Sequence, residues 1–228
     1  MTGNVVLEHV DKSFRLRGTR TVVARDLCFA FPDGQAMALL GRNGAGKSSL
    51  LRMIAGSSDP DSGRILRHGS VSWPVGFQGS FHPDLTGLEN ARFAARVYGI
   101  DTGEMSDFVE EFAGLGAHFR LPVRSYSAGM KARLAFAVSM AVPFDTYLID
   151  EVTSVGDGAF RQRSEDMLRA RLARASAIVV SHSMDLLTRI CTSGAVLENG
   201  RLFFYARVAR AIEHHQALMQ GRLPPWMA

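Results

Sequence analysis

Eight residues, Gly41-Arg42-Asn43-Gly44-Ala45-Gly46-Lys47-Ser48, set the architecture of this chain. They follow the pattern G-x-x-x-x-G-K-[ST], and each fixed position has a mechanical reason. The glycines let the backbone curl until successive N–H groups point inward at the phosphates of a nucleotide. Lys47 adds a mobile positive charge, and the Ser48 hydroxyl is placed to ligate Mg²⁺. Residues 36–40 form the short apolar run expected of the strand before such a loop. Residues 49–55 read as the helix after it, with Gly56 placed to end it. The helix N-terminus then faces the bound phosphate. Gly41, Arg42, Asn43, Gly44, Ala45, Gly46, Lys47, Ser48 and Ser49 are therefore the expected nucleotide-binding residues, and Lys47 is also expected to act in catalysis.

Working outward, alternation and residue type predict strands over residues 5–10 and 27–31, with Asp33-Gly34 turning the second into the strand before the loop. Two more short strands are expected at 64–66 and 71–73. From about residue 85 to 141 the pattern turns helical. It begins at Thr86-Gly87-Leu88-Glu89, a capping-box spacing, and continues with helices near 104–112 and 128–141. Residues 146–150 and 177–181 are apolar enough for buried parallel strands, with a helix over 159–173 between them. Asn199-Gly200 predicts a hairpin joining 195–198 to 201–205, and a final helix is expected over 208–219. The whole reads as one α/β domain over residues 1–228.

Composition excludes several classes. With 46% hydrophobic and 21% charged residues, the 228-residue chain has the balance of an ordinary globular protein. Residues 134–144, the longest apolar run, reach only about half of the roughly 20 residues a membrane helix needs. Asn4, Glu8 and Asp11 interrupt the N-terminal valines, so no signal-peptide core is expected and the chain reads as cytosolic. Cys28 and Cys191 have no metal-ligand spacing. The net charge of +4 is carried by scattered arginines, which reads as a solvated basic surface rather than a nucleic-acid patch.

A phosphate loop implies nucleotide binding, and hydrolysis needs a second acidic element. Asp150 ends an apolar strand and Glu151 follows at once. In the hydrolytic reading Asp150 holds Mg²⁺, while Glu151 orients and polarises the attacking water. Taken alone, an acidic pair after a strand also serves to cap a helix. Ser181-His182 at the end of the next strand supports hydrolysis, with His182 donating to the γ-phosphate. His9, His68, His82, His118 and the pair His214-His215 are read as structural.

Further residues carry a resemblance. Ser125-Tyr126-Ser127-Ala128-Gly129-Met130-Lys131 before the acidic strand resembles the signature motif of ABC transporter ATPases. Gln78 resembles their Q-loop glutamine, Asp150-Glu151 their Walker B pair, Ser154 to Asp157 their D-loop and His182 their switch histidine. Phe14 matches the position where an aromatic ring stacks on adenine. The resemblance implies a P-loop ATPase cassette with a RecA-like core, an antiparallel β-lobe and a helical lobe over about 85–141. It implies ATP and Mg²⁺, with Ser48, Gln78 and Asp150 around the metal. It also implies catalytic roles for Glu151, His182, Gln78 and Lys47, and nucleotide contacts from Phe14, Ser127, Gly129 and Asp157. Three positions depart from the pattern: Ala128 stands for a glycine, Met130 for a glutamine and Val152 for a proline.

Residues 72–76, 126–130 and 150–157 are similar to the ATPase subunits of bacterial polysaccharide exporters, most of all the capsule type. O-antigen and teichoic-acid exporters share the last motif, and an importer ATPase remains an alternative. The resemblance implies a head-to-tail homodimer, with each phosphate loop facing the other subunit's Ser127. It implies separate permease subunits, which supply the membrane contact at the cytoplasmic face of the inner membrane. Residues 78–98 are where the family receives the permease, with Phe81, Leu85, Phe93 and Tyr98 as candidates. Two readings of other classes stand beside it. One is an ABC ATPase acting on nucleic acid, against which there is neither a second cassette nor a coiled-coil insertion. The other is a module that holds ATP without turning it over, against which stand Asp150, Glu151 and His182.

Overall fold

The computed structural model describes residues 4–16, 19–76, 79, 81–150 and 158–222. The chain divides into two compact units: residues 1–74, 144–151 and 172–228 form the first, and residues 75–143 and 152–171 the second.

Among the described residues, the first unit carries the strands, apart from Val75 at the end of one of them, and the nucleotide loop. Strands β1 (Val5–Leu16) and β2 (Thr19–Ala30) pair antiparallel, and β4 (Ser62–Arg67) joins the other edge of β1 to give the order β2-β1-β4. A six-stranded sheet contains β5 (Val71–Val75), β6 (Thr146–Asp150), β7 (Ser176–Val180), β3 (Ala36–Leu40), β8 (Ser193–Glu198) and β9 (Arg201–Tyr205), in the order β5-β6-β7-β3-β8-β9. Strands β6, β7, β3 and β8 run parallel, and β9 closes the edge antiparallel. Every residue of β3 and β7 is buried. That explains their continuous apolar sequence, because a central parallel strand is covered on both faces and has no polar side.

Helix α1 (Lys47–Ile54) packs on this sheet through Leu50, Leu51, Met53 and Ile54, which join Met37, Leu39, Ile178, Val180 and Leu197 in one core. Two further helices, α6 (Met184–Ile190) and α7 (Val208–Met219), complete the unit. The expected hairpin is present: Asn199 and Gly200 both take positive φ, at 50° and 76°, and Glu198 pairs with Arg201. Those two left-handed residues are what a tight two-residue turn demands.

The sequence pattern shows only parts of β1 and β2, which run for 12 residues each. Register shifts fall between Leu7 and Val10, Val10 and Lys12, and Lys12 and Ser13. Each extra residue reverses which face its successors point to, so alternation is lost along one continuous strand. Helix α6 is seven residues long, too short to show a helical period, and had no sequence signal beyond its Ser183 N-cap.

The second unit is helical: α2 (Gly87–Tyr98), α3 (Thr102–Ala113), α4 (Ala128–Ala141) and α5 (Gly158–Leu172), with 3-10 turns at Gly116–Arg120 and Val123–Ser125. The capping box forms as expected: Thr86 Oγ1 accepts from the Glu89 N–H, and the Glu89 carboxylate accepts from the Thr86 N–H. Asn90, nearly fully buried, bonds both ways with the His82 backbone and donates to the Thr86 carbonyl, fixing the approach to α2. Phe112, Phe136 and Phe160 from α3, α4 and α5 meet with ring centroids 5.7–6.2 Å apart and hold the helices together.

Candidate nucleotide site

The loop between β3 and α1 is built as its glycines require. Gly41, Gly44 and Gly46 have φ of 151°, 82° and 104°. A Cβ at Gly41 would lie 2.5 Å from the Leu197 carbonyl oxygen of β8, and one at Gly46 would lie 2.5 Å from Val23 Cγ1 of β2. The loop is therefore pressed between two strands, and at both points only hydrogen fits. The Ala45 N–H donates to the Arg42 carbonyl (3.0 Å), closing the turn, and the Leu50 N–H donates to Gly46 (2.9 Å), opening the helix. Lys47 Nζ reaches back over the loop and donates to the carbonyls of Gly41 (2.8 Å) and Arg42 (3.2 Å).

Around this loop lies a cleft of about 550 Å³. Asn43, Gly44, Gly46, Lys47, Ser48 and Ser49 line its floor, Phe14, Thr21 and Val23 of β1 and β2 one wall, and His182 another. The volume is in the range of a small-molecule site. Phe14 is half exposed, and the Lys12 ammonium sits 5.4 Å from its ring centroid. Lys12 is itself held by the Asp59 carbonyl (2.8 Å) and the Asp61 carboxylate (3.0 Å). Asp61 accepts the Ser13 N–H and the Lys12 ammonium, and these bonds hold its carboxyl below the usual carboxylate range.

Of the expected site residues, Phe14, Asn43, Gly44, Gly46, Lys47, Ser48, Ser49 and His182 thus come together on one cleft, whereas Gly41 is packed beneath the loop against Leu197. Arg42 and Ala45 line an adjoining cleft with Arg20 and Arg25. Asp150 ends β6 half-buried and in register with Val180, the last residue of β7, so Asp150 and His182 leave the same carboxyl edge of the sheet. That edge is where open α/β sheets bind ligands. The hydroxyl of Ser48 and the carboxylate of Asp150 are hard oxygen donors of the kind Mg²⁺ takes. Gln78, Glu151 and Asp157 lie outside the described residues. Ser127 caps α4 by accepting the Met130 N–H (3.2 Å), and Ser127 is exposed while Gly129 is half-buried in the helical unit.

Three contributors escaped the sequence. Thr21 and Val23 are cleft walls whose positions depend on the irregular register of β2. His215 of α7 is the third. Burial first, and then the nearby Lys47, His182 and His214, lower its pKa, which places α7 within electrostatic range of the loop lysine. Its partner His214 is structural, as expected: it is buried, with Nδ1 2.9 Å from the Tyr205 hydroxyl.

Residues 24–154 match the ABC transporter family. The chain belongs to that family. Among curated relatives, the polysialic acid transport ATP-binding protein KpsT of Escherichia coli is 42% identical over 93% of this chain and 96% of its own length. The capsule polysaccharide export ATP-binding protein CtrD of Neisseria meningitidis serogroup B is 44% identical over 94% of this chain and 99% of its own. O-antigen and teichoic-acid export ATP-binding proteins are further relatives. The cassette MJ0796, solved as a dimer in a post-hydrolysis state with ADP and Pi, superposes with a TM-score of 0.73 at 20% identity, covering 87% of this chain and 96% of that one. That likeness shows the ABC cassette fold. Among the described residues no helix is long and apolar enough to cross a membrane.

Proposed function

We propose that this chain is the ATP-hydrolysing subunit of an exporter for capsular or related cell-surface polysaccharide, acting as one cassette over its whole length. The observation that carries the reading is a phosphate loop, an adenine-side aromatic and a histidine on one cleft, in a chain similar to capsule-export ATP-binding proteins along more than nine-tenths of its length.

In this reading Phe14 stacks on the adenine, and the loop amides with Lys47 hold the phosphates. On binding, Lys47 exchanges the carbonyls of Gly41 and Arg42 for phosphate oxygens, so its charge is kept in place before the nucleotide arrives. Ser48 and Asp150, with Gln78, would hold Mg²⁺, which when bound would supply positive charge to offset that of the phosphates. Glu151 orients and polarises the attacking water. His182 donates to the γ-phosphate and keeps that water aligned. Ser127, Gly129 and Asp157 complete the site of a second copy in a head-to-tail homodimer.

The permease would dock on α2. Of the four candidates, Phe93 and Tyr98 leave 61% and 44% of their surface exposed on this helix, where Val97 adds a further 59%, whereas Phe81 and Leu85 are half-buried. An exposed apolar stripe of this kind marks an interaction surface. Through it the chain sits peripherally at the cytoplasmic face of the inner membrane, with no direct nucleic-acid contact. The test is genetic and chemical together. Deleting the gene should remove the surface polysaccharide and leave lipid-linked polymer inside the cell. The wild-type gene should restore export, and Lys47→Ala should not. Unchanged surface polysaccharide in the deletion strain refutes the export reading, and the polymer that accumulates separates capsule from O-antigen or teichoic acid.

A further inference from the structure

On the β2-β1-β4 sheet, three side chains of metal-ligand type converge outside the nucleotide cleft. His9 Nδ1 lies 2.7 Å from Asp26 Oδ1 and 3.5 Å from Cys28 Sγ, and the three donor atoms all fall within 4.8 Å of one another. None of the three lines the cleft. Among the described residues no other group of three His, Cys, Asp or Glu side chains is gathered this closely.

The register of the strands explains how residues 17 and 19 positions apart meet. Leu7 pairs with Phe29 and Val10 with Leu27, so Glu8 and His9 together face only Cys28. One step further, Val10 pairs with Leu27 and Lys12 with Ala24, so Arg25 and Asp26 together face only Asp11. Two bulges thus sit back to back on opposite strands. His9 and Asp26 take left-handed φ of 51° and 47° at them, and a bulge re-aims its side chain. Asp26 is fixed by its N–H donating to Asp11 Oδ1 (3.1 Å), while the other Asp11 oxygen accepts from Ser62 (3.1 Å). The His9 N–H donates to Cys28 Sγ (3.3 Å), which orients the sulfur.

From this geometry we propose that His9, Asp26 and Cys28 form a binding site for a divalent transition-metal ion of the zinc class, with a fourth position open to water. One nitrogen, one oxygen and one sulfur donor make a borderline-soft set that suits Zn²⁺ and rejects Mg²⁺. Around tetrahedral Zn²⁺ such donors stand about 3.3–3.8 Å apart, from bonds of about 2.0–2.3 Å. The His9–Cys28 separation of 3.5 Å already matches. The His9–Asp26 pair must open by roughly half an ångström, as an ion replaces the proton they share. On binding, the single ring proton of the neutral imidazole moves from Nδ1 to Nε2, which frees Nδ1 to ligate, and the thiol releases one proton to solvent. All three residues are exposed, so the ion has free access from water.

Co²⁺ serves as the spectroscopic probe, added to tag-free, chelator-treated full-length protein. The site predicts a thiolate-to-cobalt charge-transfer band that saturates at one equivalent, is displaced by Zn²⁺ and is untouched by excess Mg²⁺. Cys191 is buried, so the band reports Cys28. Cys28→Ser should abolish it. By calorimetry, His9→Asn and Asp26→Asn should each weaken Zn²⁺ binding about 10- to 100-fold or more. Asparagine tolerates the left-handed backbone both positions need, and matching thermal unfolding of the metal-free variants shows that they fold. Absence of the band, or Zn²⁺ affinity unchanged by any one of the three substitutions, overturns the site.

Discussion

Gly46→Ala, combined with Val23→Ala, tests the claim that the nucleotide loop is shaped by contact with β2. The added methyl is penalised twice. A φ of 104° is a conformation that L side chains rarely adopt, which costs about 1–2 kcal/mol. The new Cβ also lies 2.5 Å from Val23 Cγ1 and 3.0 Å from its Cβ and Cγ2, an overpacking worth about 1–3 kcal/mol. The single variant should therefore lose about 2–5 kcal/mol of stability, and bind ATP more weakly because relief of the clash moves the loop. Val23→Ala removes both γ-carbons from a side chain only 3% exposed, at a cost of about 2 kcal/mol. In the double variant the two γ-carbon contacts are removed, and only the 3.0 Å approach to the Cβ of residue 23 and the backbone strain remain. Urea unfolding of all four proteins should then give a favourable coupling of about 1–3 kcal/mol, well above the roughly 0.3–0.5 kcal/mol scatter of independent sites. Nucleotide affinity, measured by calorimetry, should recover partly in the double variant. Strict additivity in both quantities would refute the wedge between β2 and the loop.

Other measurements probe the rest of the site. Lys47→Ala should fold normally but lose roughly 10- to 100-fold in ATP affinity, the value of a charge-assisted hydrogen bond, as read by calorimetry beside thermal unfolding. Glu151→Gln should keep ATP binding while phosphate release falls by about 10²–10⁴, and an unchanged rate would remove Glu151 from catalysis. Cys191, whose thiol burial pushes up to about 12, should resist maleimide in the folded protein while exposed Cys28 is labelled, and both should react in urea. His215 binds protons less readily folded than unfolded, so stability is lost as pH falls through its ordinary value of 6.5. The fall in Tm with acidification should therefore be shallower in His215→Gln than in the parent.

What the sequence made legible was whatever chemistry is satisfied by neighbours in the chain. The phosphate loop needs its glycines, lysine and serine at fixed spacing, so residues 41–48 could be read directly. The same holds for the Thr86–Glu89 box and the Asn199-Gly200 turn, which the structure places as expected. Two residues of the cleft wall, Thr21 and Val23, were not legible, because their positions are set by the pairing of β1 with β2. Val23 faces the nucleotide cleft, its neighbour Val22 lines the adjoining one, and Thr21 borders both. A strand shifted by one residue would exchange these roles, and three register shifts along β1 separate the apolar pattern from the face it serves. His215 was obscured for a related reason: its proximity to Lys47 and His182 comes from α7 packing on β3 and β8, a contact no local spacing encodes. The bulges that scramble the alternation are also what turn His9 and Asp26 toward Cys28. An irregularity that reads as noise along the chain becomes the placement device for side chains 17 and 19 residues apart, so a lost period inside a long strand is itself a reason to ask which side chains it has re-aimed.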